Sequence, residues 1–320
     1  MNVVRNIGML LMLAVLPSLA MSTTPADLLA QGRADEAISS LQNEVKAHPN
    51  DAQAYNLLCR SYFSVGNWDG GIPHCEKAVS LEPGNSQYHM WLGRIYGERA
   101  DHSAFWSAAG LARKLRNEME TAVRLDPANV AARTDLAEFY LEAPGIVGGG
   151  RDKAEAQAAA LETLDPAKAH WVRGRLAEKR KDSASAEREY RAAIEASHGS
   201  ALNWFNLALF YRHEQRWSDM EDAIDKAVAA PLDRPEVIME SGDVLIRTGR
   251  SYPKAIRLIQ LYLSSKSTVE AAPAFKAHYL LGMAQEKLGD KSAAAQEYRA
   301  ALALARNYSV AQDALNRISR

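Results

Sequence analysis

The chain has 320 residues, of which 47% are apolar and 24% are charged, and 38 Lys or Arg side chains nearly balance 39 Asp or Glu. The resulting net charge of −1 argues against a nucleic-acid-binding protein, because such proteins usually carry a basic excess or a basic stripe. Only 12 Pro and 19 Gly are present, which excludes collagen-like and disordered chains. Fifty-five residues are Ala, the strongest helix former, and this composition predicts an all-α protein.

The first twenty residues have the layout of a cleavable secretory signal. Arg5 precedes an apolar core from Ile7 to Leu16, and small residues lie before the expected cleavage site at Ala20. A membrane anchor needs about 20 apolar residues, whereas this core has about half that length and ends at Pro17. No later segment is long and apolar enough to cross a bilayer. The sequence therefore predicts a periplasmic or secreted protein, without stable membrane insertion after cleavage.

A regular repeat runs through the rest of the chain. Pro49 and Pro83 are 34 residues apart, which is one repeat period, and similar Pro-containing segments follow at Pro127 and Pro166. In the segment 52–85, apolar residues form a stripe on a first helix, a Gly-Asn turn follows, and a second amphipathic helix completes the unit. Small and aromatic residues recur at matching positions of later units, among them Tyr62, Gly174, Tyr190, Ala208, Tyr211, Gly282 and Tyr298.

This pattern resembles the tetratricopeptide repeat, a helix–turn–helix unit of about 34 residues, and in particular exported bacterial members of that family. The resemblance implies an all-α fold, a right-handed α-solenoid of antiparallel helix pairs with a concave groove, since one pair alone cannot bury its apolar face. Thr24 and Asp27 predict where the first helix begins. The expected units are a signal peptide at 1–20 and one solenoid at 21–320. Its eight pairs span approximately 22–51, 52–85, 86–129, 130–166, 167–200, 201–234, 235–269 and 275–308, with a capping helix at 309–320.

Two units depart from the period. The third has about ten extra residues, which fall within 97–114 around Phe105 and Trp106. One interpretation is a longer second helix whose aromatic side chains pack against the neighbouring pair, and the other is a protrusion that binds a partner. The fourth unit has about five extra residues in a Gly-rich segment at 144–150. It lacks the Lys-Ser/Thr of a phosphate-binding loop, and it resembles an elongated inter-helix turn of exported tetratricopeptide proteins.

No catalytic, metal-binding or cofactor-binding motif is recognisable. His213-Glu214 does not continue into the second His of a zinc-protease helix, and the histidines do not pair at the spacing of metal ligands. The G-x-S-x-G elbow of serine hydrolases is absent. We therefore expect a non-enzyme without cofactors, and keep an enzyme with an undetected site as a remote alternative.

Cys59 and Cys75 fall in opposite helices of the second pair, on either side of its turn. The antiparallel arrangement would bring them opposite each other, and an oxidising compartment would allow a disulfide. Such a bond would close a loop of about 16 residues and stabilise the fold by about 3 kcal/mol in the chain-entropy description. The alternative is a pair of buried free thiols.

In the tetratricopeptide family, the second, fifth, ninth and twelfth positions of the first helix face the groove. The resemblance thereby implies two sets of groove residues: an apolar stripe and a set of arginines. The stripe is either a surface that binds a peptide or is buried between first helices. The arginines either bind carboxylates or lie on a solvated face. The stripe consists of Trp171, Phe205, Met239 and Tyr279, and the arginines are Arg60, Arg94 and Arg175.

These observations favour a non-catalytic adaptor or scaffold in the bacterial periplasm. Its partners would be other proteins, not nucleic acid, and a peptide or protein segment would bind in the concave groove. The alternative is a structural component of a cell-envelope assembly, secretion or pilus machine.

Overall fold

The computed structural model describes residues 23–231, 234–265 and 267–319. The predicted signal peptide lies outside these ranges. Within them the chain is all-α: it contains α-helices, one short 3-10 turn at Gly145–Val147, and no β-sheet. The helices are α1 Pro25–Ala30, α2 Ala34–Ala47, α3 Ala52–Ser64, α4 Trp68–Leu81, α5 Ser86–Asp101, α6 Phe105–Leu125, α7 Val130–Glu142, α8 Arg151–Leu161, α9 Pro166–Lys179, α10 Ser183–Ala196, α11 Ala201–His213, α12 Trp217–Ala229, α13 Glu236–Arg247, α14 Tyr252–Ser264, α15 Ala274–Lys287, α16 Lys291–Leu304 and α17 Ser309–Ile318.

Each expected unit contains one pair of consecutive helices, from α1 and α2 in the first pair to α15 and α16 in the eighth. Eight of these helices begin where a short polar side chain accepts a hydrogen bond from a free backbone N–H group. Thr24 and Asp27 form the capping box predicted at the start of α1. The other side chains that cap a helix in this way are Asp51, Asn67, Asn85, Asn129, Asp165, Asp182 and Asp290.

Within a pair, a small residue on the first helix lets the second helix approach closely. A Cβ atom at Gly282 would lie 2.5 Å from the ring of Tyr298, and one at Gly174 would lie 3.0 Å from the ring of Tyr190. Both tyrosine side chains are fully or almost fully buried. The recurring Gly and Tyr positions are therefore complementary halves of one contact.

Between pairs, a tyrosine near the end of the first helix forms a hydrogen bond with the second helix of the preceding pair. The hydroxyl of Tyr96 donates to Glu76 at 2.6 Å, and that of Tyr140 donates to Glu120 at 2.8 Å. Burial and the adjacent carboxylates raise the pKa of both tyrosines, so both hydroxyls keep their protons. The same contact joins Gln42 to Tyr62 and Glu187 to Tyr211.

Glu187 on α10 is the most heavily bonded of these carboxylates. It accepts hydrogen bonds from Arg216 at 2.5 Å, from Arg191 at 2.7 Å and from the Tyr211 hydroxyl at 2.7 Å. Burial opposes its ionisation, but these three donors outweigh burial and lower the pKa of Glu187 to about 2. This carboxylate thus connects α10 with the pair that follows.

The third pair projects beyond its neighbours at the turn between its helices. α5 has 16 residues and α6 has 21, whereas the other helices from α2 to α16 have 11 to 14. Phe105 and Trp106, at the start of α6, have exposed fractions of 71% and 85%. The interpretation that these rings pack against the neighbouring pair is wrong, because α6 carries them past the end of that pair.

The Gly-rich segment forms the elongated turn of the fourth pair. Val147 is buried, and its carbonyl accepts a hydrogen bond from Arg116 on α6 at 3.1 Å. A Cβ atom at Gly149 would collide with the carbonyl oxygen of Ala143, so the close approach of the two backbone segments requires glycine there. The glycine at position 149 therefore has a steric cause in the fold.

Cys59 and Cys75 form a disulfide between α3 and α4, with their Cα atoms 5.2 Å apart. Both residues are fully buried, and they pack with Leu92, Ile95 and Tyr96 of the next pair. The bond therefore lies in the apolar layer between the second and third pairs.

The two ends of the solenoid contact each other, and we call this contact the seam. Arg60 on α3 forms two hydrogen bonds with Glu270, one of them from Nε to Oε1 at 2.9 Å. The backbone N–H of Arg306 donates to Asp35 on α2 at 3.1 Å. An apolar cluster lies between the same segments and contains Ala34, Ile38, Val65, Phe275, Ala301, Ala305 and Tyr308. The eight pairs thus make one turn, in which the first two pairs contact the eighth pair and the segment that contains Glu270.

Candidate interaction surface on the concave face

The first helix of each pair lies on the inner side of this turn. First helices of successive pairs contact each other, as α7 contacts α9 and α11 contacts α13, whereas second helices contact mainly their own pair and the first helix that follows. When a stack of helix pairs curves, helices on the concave side are brought into contact with each other, and helices on the convex side are spread apart. The face that the resemblance implied for partner binding is therefore built by α3, α5, α7, α9, α11, α13 and α15.

Arg60 and Arg94 meet on this face around a tryptophan that the sequence analysis did not select. Their guanidinium carbons lie 5.0 and 4.7 Å from the centre of the Trp91 ring. Each arginine also binds a carboxylate of the chain: Arg60 binds Glu270 and Arg94 donates to Asp135 at 2.6 Å. All four charged side chains are only 21% to 29% exposed, so the two ion pairs are partly shielded from water.

A second aromatic and cationic group lies on α9. The guanidinium of Arg175 and the ammonium of Lys168 lie 5.5 and 5.8 Å from the ring of Trp171. Arg175 also donates to Glu138 at 3.2 Å and to Glu142 at 2.7 Å on α7. The structure therefore brings Trp171 and Arg175 together. Helix α7 links them to the first group, because Glu138 lies one helical turn from Asp135, the partner of Arg94.

The rest of the predicted apolar stripe is not an open surface. Met239 is fully buried and Phe205 is 5% exposed, and both belong to the main apolar core. Tyr279 is half-buried, with its ring 5.9 Å from Tyr298 and 5.6 Å from Tyr308. Of the two interpretations of the stripe, burial therefore holds for Phe205 and Met239, because large side chains at these positions fill the space between adjacent first helices.

Charged residues from distant pairs act on each other across the inner face. Burial raises the pKa of the Glu240 carboxyl, and the nearby ammonium of Lys276 partly opposes this rise. Burial likewise raises the pKa of Glu98, and the same Lys276 opposes it. Burial lowers the pKa of Lys168, and Arg234 lowers it further. Glu98 and Lys276 are far apart in sequence, so the electrostatic effect of Lys276 reaches the third pair as well as the seventh.

Two residues of this surface were missed by sequence reasoning. Trp91 stands at the sixth position of its unit, one residue beyond the fifth position, which faces the groove in the family. Its spacing of three residues from Arg94 nevertheless places both on one helix face. Glu270 lies in the segment between α14 and α15, 210 residues from Arg60, and no local pattern connects the two.

The described part of the chain contains no cluster of three His, Cys, Asp or Glu side chains that could hold a metal ion. Among the same residues, no helix combines the length and apolarity that crossing a bilayer requires.

Comparison with known families agrees with the helix pairs. Two family models, both described as tetratricopeptide repeat, match residues 28–95 and 239–311. These ranges include pairs from both ends of the solenoid, and the pairs between them repeat the same contacts. The chain is a tetratricopeptide repeat protein. Such repeats serve in general as protein-interaction scaffolds or adaptors, and they are typically non-enzymatic.

Individual relatives share the repeat over limited ranges. Cellulose synthase operon protein C of Escherichia coli K12 is 35% identical over 60 residues, which are 19% of this chain and 5% of that protein. A thermophilic TPR protein of Thermus thermophilus is 20% identical, with a TM-score of 0.48 over 58% of this chain and 96% of its own. A tetratricopeptide repeat protein of Parabacteroides merdae is 15% identical, with a TM-score of 0.43 over 84% and 99%.

Proposed function

We propose that this tetratricopeptide repeat protein is a periplasmic adaptor that binds an acidic protein segment on its concave face. The observation that carries the proposal is the group formed by Arg60, Trp91 and Arg94. Two partly buried guanidinium groups flank one tryptophan ring, and each already holds a carboxylate of the chain itself. A surface that binds Glu270 and Asp135 in this way has the chemistry to bind carboxylates of a partner.

Export is supported by the sequence of residues 1–20 and by the disulfide between Cys59 and Cys75, since disulfides persist in oxidising compartments. The test is expression of the full chain in a Gram-negative host. We expect the protein in the osmotic-shock fluid, with a mature N-terminus at Met21. An unprocessed chain that stays with the cytosol would refute the periplasmic part of the proposal.

Groove binding is tested by photo-crosslinking in the native host. The crosslinking amino acid replaces Glu138, whose side chain is 49% exposed on the inner helix α7. The matched control replaces Lys226, an exposed residue on the outer helix α12. We expect discrete adducts from position 138 and none from position 226. Adducts from position 226 alone would place partner binding on the convex face.

A solution-mass measurement distinguishes the adaptor from a structural component of an envelope machine. A monomer that gains mass only in the presence of a crosslinked partner fits the adaptor. Self-assembly through the ends of the solenoid, without adducts from position 138, fits the structural component and contradicts the groove proposal.

A further inference from the structure

The hairpin of α5 and α6 has an extension that is not part of the proposed partner-binding surface on the concave face. Relative to the helices of other pairs, α6 has about seven additional residues at its start, which extend the hairpin by about 10 Å at a rise of about 1.5 Å per residue. The extension begins with Phe105 and Trp106, whose ring centres lie 5.2 Å apart in an edge-to-face arrangement. An aromatic pair thus forms the tip of a protrusion.

The next pair presents a third apolar side chain at the corresponding turn. Ile146 is 80% exposed, and the three most exposed large hydrophobic side chains among the described residues are Trp106, Ile146 and Phe105. The turn of the fourth pair contacts the body of α6, because Arg116, which follows Phe105 by eleven residues, donates to the carbonyl of Val147. Turns between the first and second helices of successive pairs lie on one edge of a solenoid, so these residues share that edge.

The same edge is basic. The segments 101–117, 142–153 and 179–182, which contain the turns of the third, fourth and fifth pairs, hold eight Lys or Arg residues, three Asp and one Glu, Glu142, which pairs with Lys179. Basic and acidic residues are almost equal in number in the whole chain. From Phe105 to Asn117, α6 has three basic residues and no acidic one. The exposed basic side chains of these segments include Arg113, Lys114, Arg151, Lys153, Arg180 and Lys181.

We propose that this edge docks on the surface of an anionic lipid bilayer. Phe105, Trp106 and Ile146 would enter the interface between headgroups and acyl chains, where aromatic residues are favoured, and the basic side chains would face lipid phosphates. The observations favour lipid over a protein partner because the apolar residues form a projecting tip backed by dispersed positive charge. Such a tip suits a deformable anionic surface. The proposal concerns peripheral docking and is independent of partner binding on the concave face.

The first test is co-sedimentation of the mature chain with vesicles of phosphatidylcholine alone and with vesicles that also contain phosphatidylglycerol. We expect partitioning to be at least about ten-fold stronger on the anionic vesicles and to fall at high salt. The double variant F105S/W106S should lose about ten-fold or more of this partitioning. The matched control is L261S, since Leu261 is a 49% exposed hydrophobic residue at the end of α14, near the opposite edge. It should bind like the unmodified protein.

A second readout locates the contact. Tryptophan emission of the unmodified protein should shift to shorter wavelength on anionic vesicles, and W106F should bind with most of that shift removed. The proposal would be overturned if F105S/W106S and L261S lost vesicle binding equally, or if partitioning were the same with and without phosphatidylglycerol. Binding to neither kind of vesicle, together with tip-dependent crosslinks to one protein, would also overturn it and assign the tip to a protein partner.

Discussion

Closure of the solenoid at the seam can be measured as a coupling energy between Arg60 and Glu270, which are 210 positions apart. The perturbations are R60Q, E270Q and the double variant. Arg60 also stacks on Trp91, so R60Q alone removes two interactions. The double-mutant cycle cancels that stacking, because E270Q leaves it in place, and it isolates the contact between the Arg60 and Glu270 side chains.

The expected magnitude follows from the burial of the pair. Exposed ion pairs contribute about 0–1 kcal/mol, and breaking a buried pair costs about 3–5 kcal/mol. The Arg60 and Glu270 side chains are 27% and 21% exposed and share two hydrogen bonds, which places the coupling at about 1–2 kcal/mol.

Urea unfolding followed by circular dichroism at neutral pH supplies the four free energies of the cycle. The matched control is the same cycle on Arg247 and Asp243, an ion pair within α13 whose arginine is 58% exposed, for which we expect less than about 0.5 kcal/mol. A coupling near zero for Arg60 and Glu270 would show that the ends of the solenoid do not meet in solution. The reasoning about the seam would then be refuted.

Three further predictions concern the fold. Replacing both Cys59 and Cys75 with Ala should lower the free energy of unfolding by about 3 kcal/mol, and thiol labelling of the unfolded, unreduced protein should modify no cysteine; two labelled thiols per chain would contradict this. Glu187 has a pKa of about 2 in the folded protein, against an ordinary value of about 4.5. The stabilisation that its ionised carboxylate gives the fold is therefore complete above about pH 4.5 and is lost as the pH falls towards 2. Because solvent surrounds the arginine partners, the free energy of unfolding should fall by about 1 kcal/mol over this range. E187Q should not show this fall, and acid-unfolding curves that change equally in E187Q and the unmodified protein would contradict the prediction. G282A should destabilise by about 1–3 kcal/mol because its Cβ atom has no space, whereas G84A, with nothing within 4 Å, should be neutral in thermal unfolding; equal effects would contradict the packing argument.

Local signals in the sequence were sufficient to predict the helix pairs. The side chain of Thr24 caps α1 at the position that the sequence predicts, and the recurrence of Gly282 and Tyr298 reflects a contact inside one pair. Such features depend on residues that are close in sequence, and they recur in successive units of the repeat.

The positions that local signals did not decide depend on the relation between pairs. Met239 has the family position of a groove residue, but its burial is decided by the size of the side chains on adjacent first helices. For Trp106 the sequence left packing on a neighbouring pair and a protrusion both open, and the extension of α6 carries it beyond that pair. The partner of Arg60 could not be predicted at all, because closure of the seam results from small rotations accumulated over eight pairs.

The seam also sets a condition for any acidic partner on the concave face. A carboxylate that binds Arg60 has to displace Glu270, and an intramolecular ligand competes without the loss of translational freedom that a free partner undergoes. A partner that contacts only Arg60 would therefore need to bind more tightly than Glu270 does. A partner that also contacts Arg94 and Trp91 gains affinity from the whole group and can open the seam as it binds. Access to this surface and closure of the solenoid are thus two states of one equilibrium, and E270Q should increase capture of the acidic segment by the crosslinker at position 138.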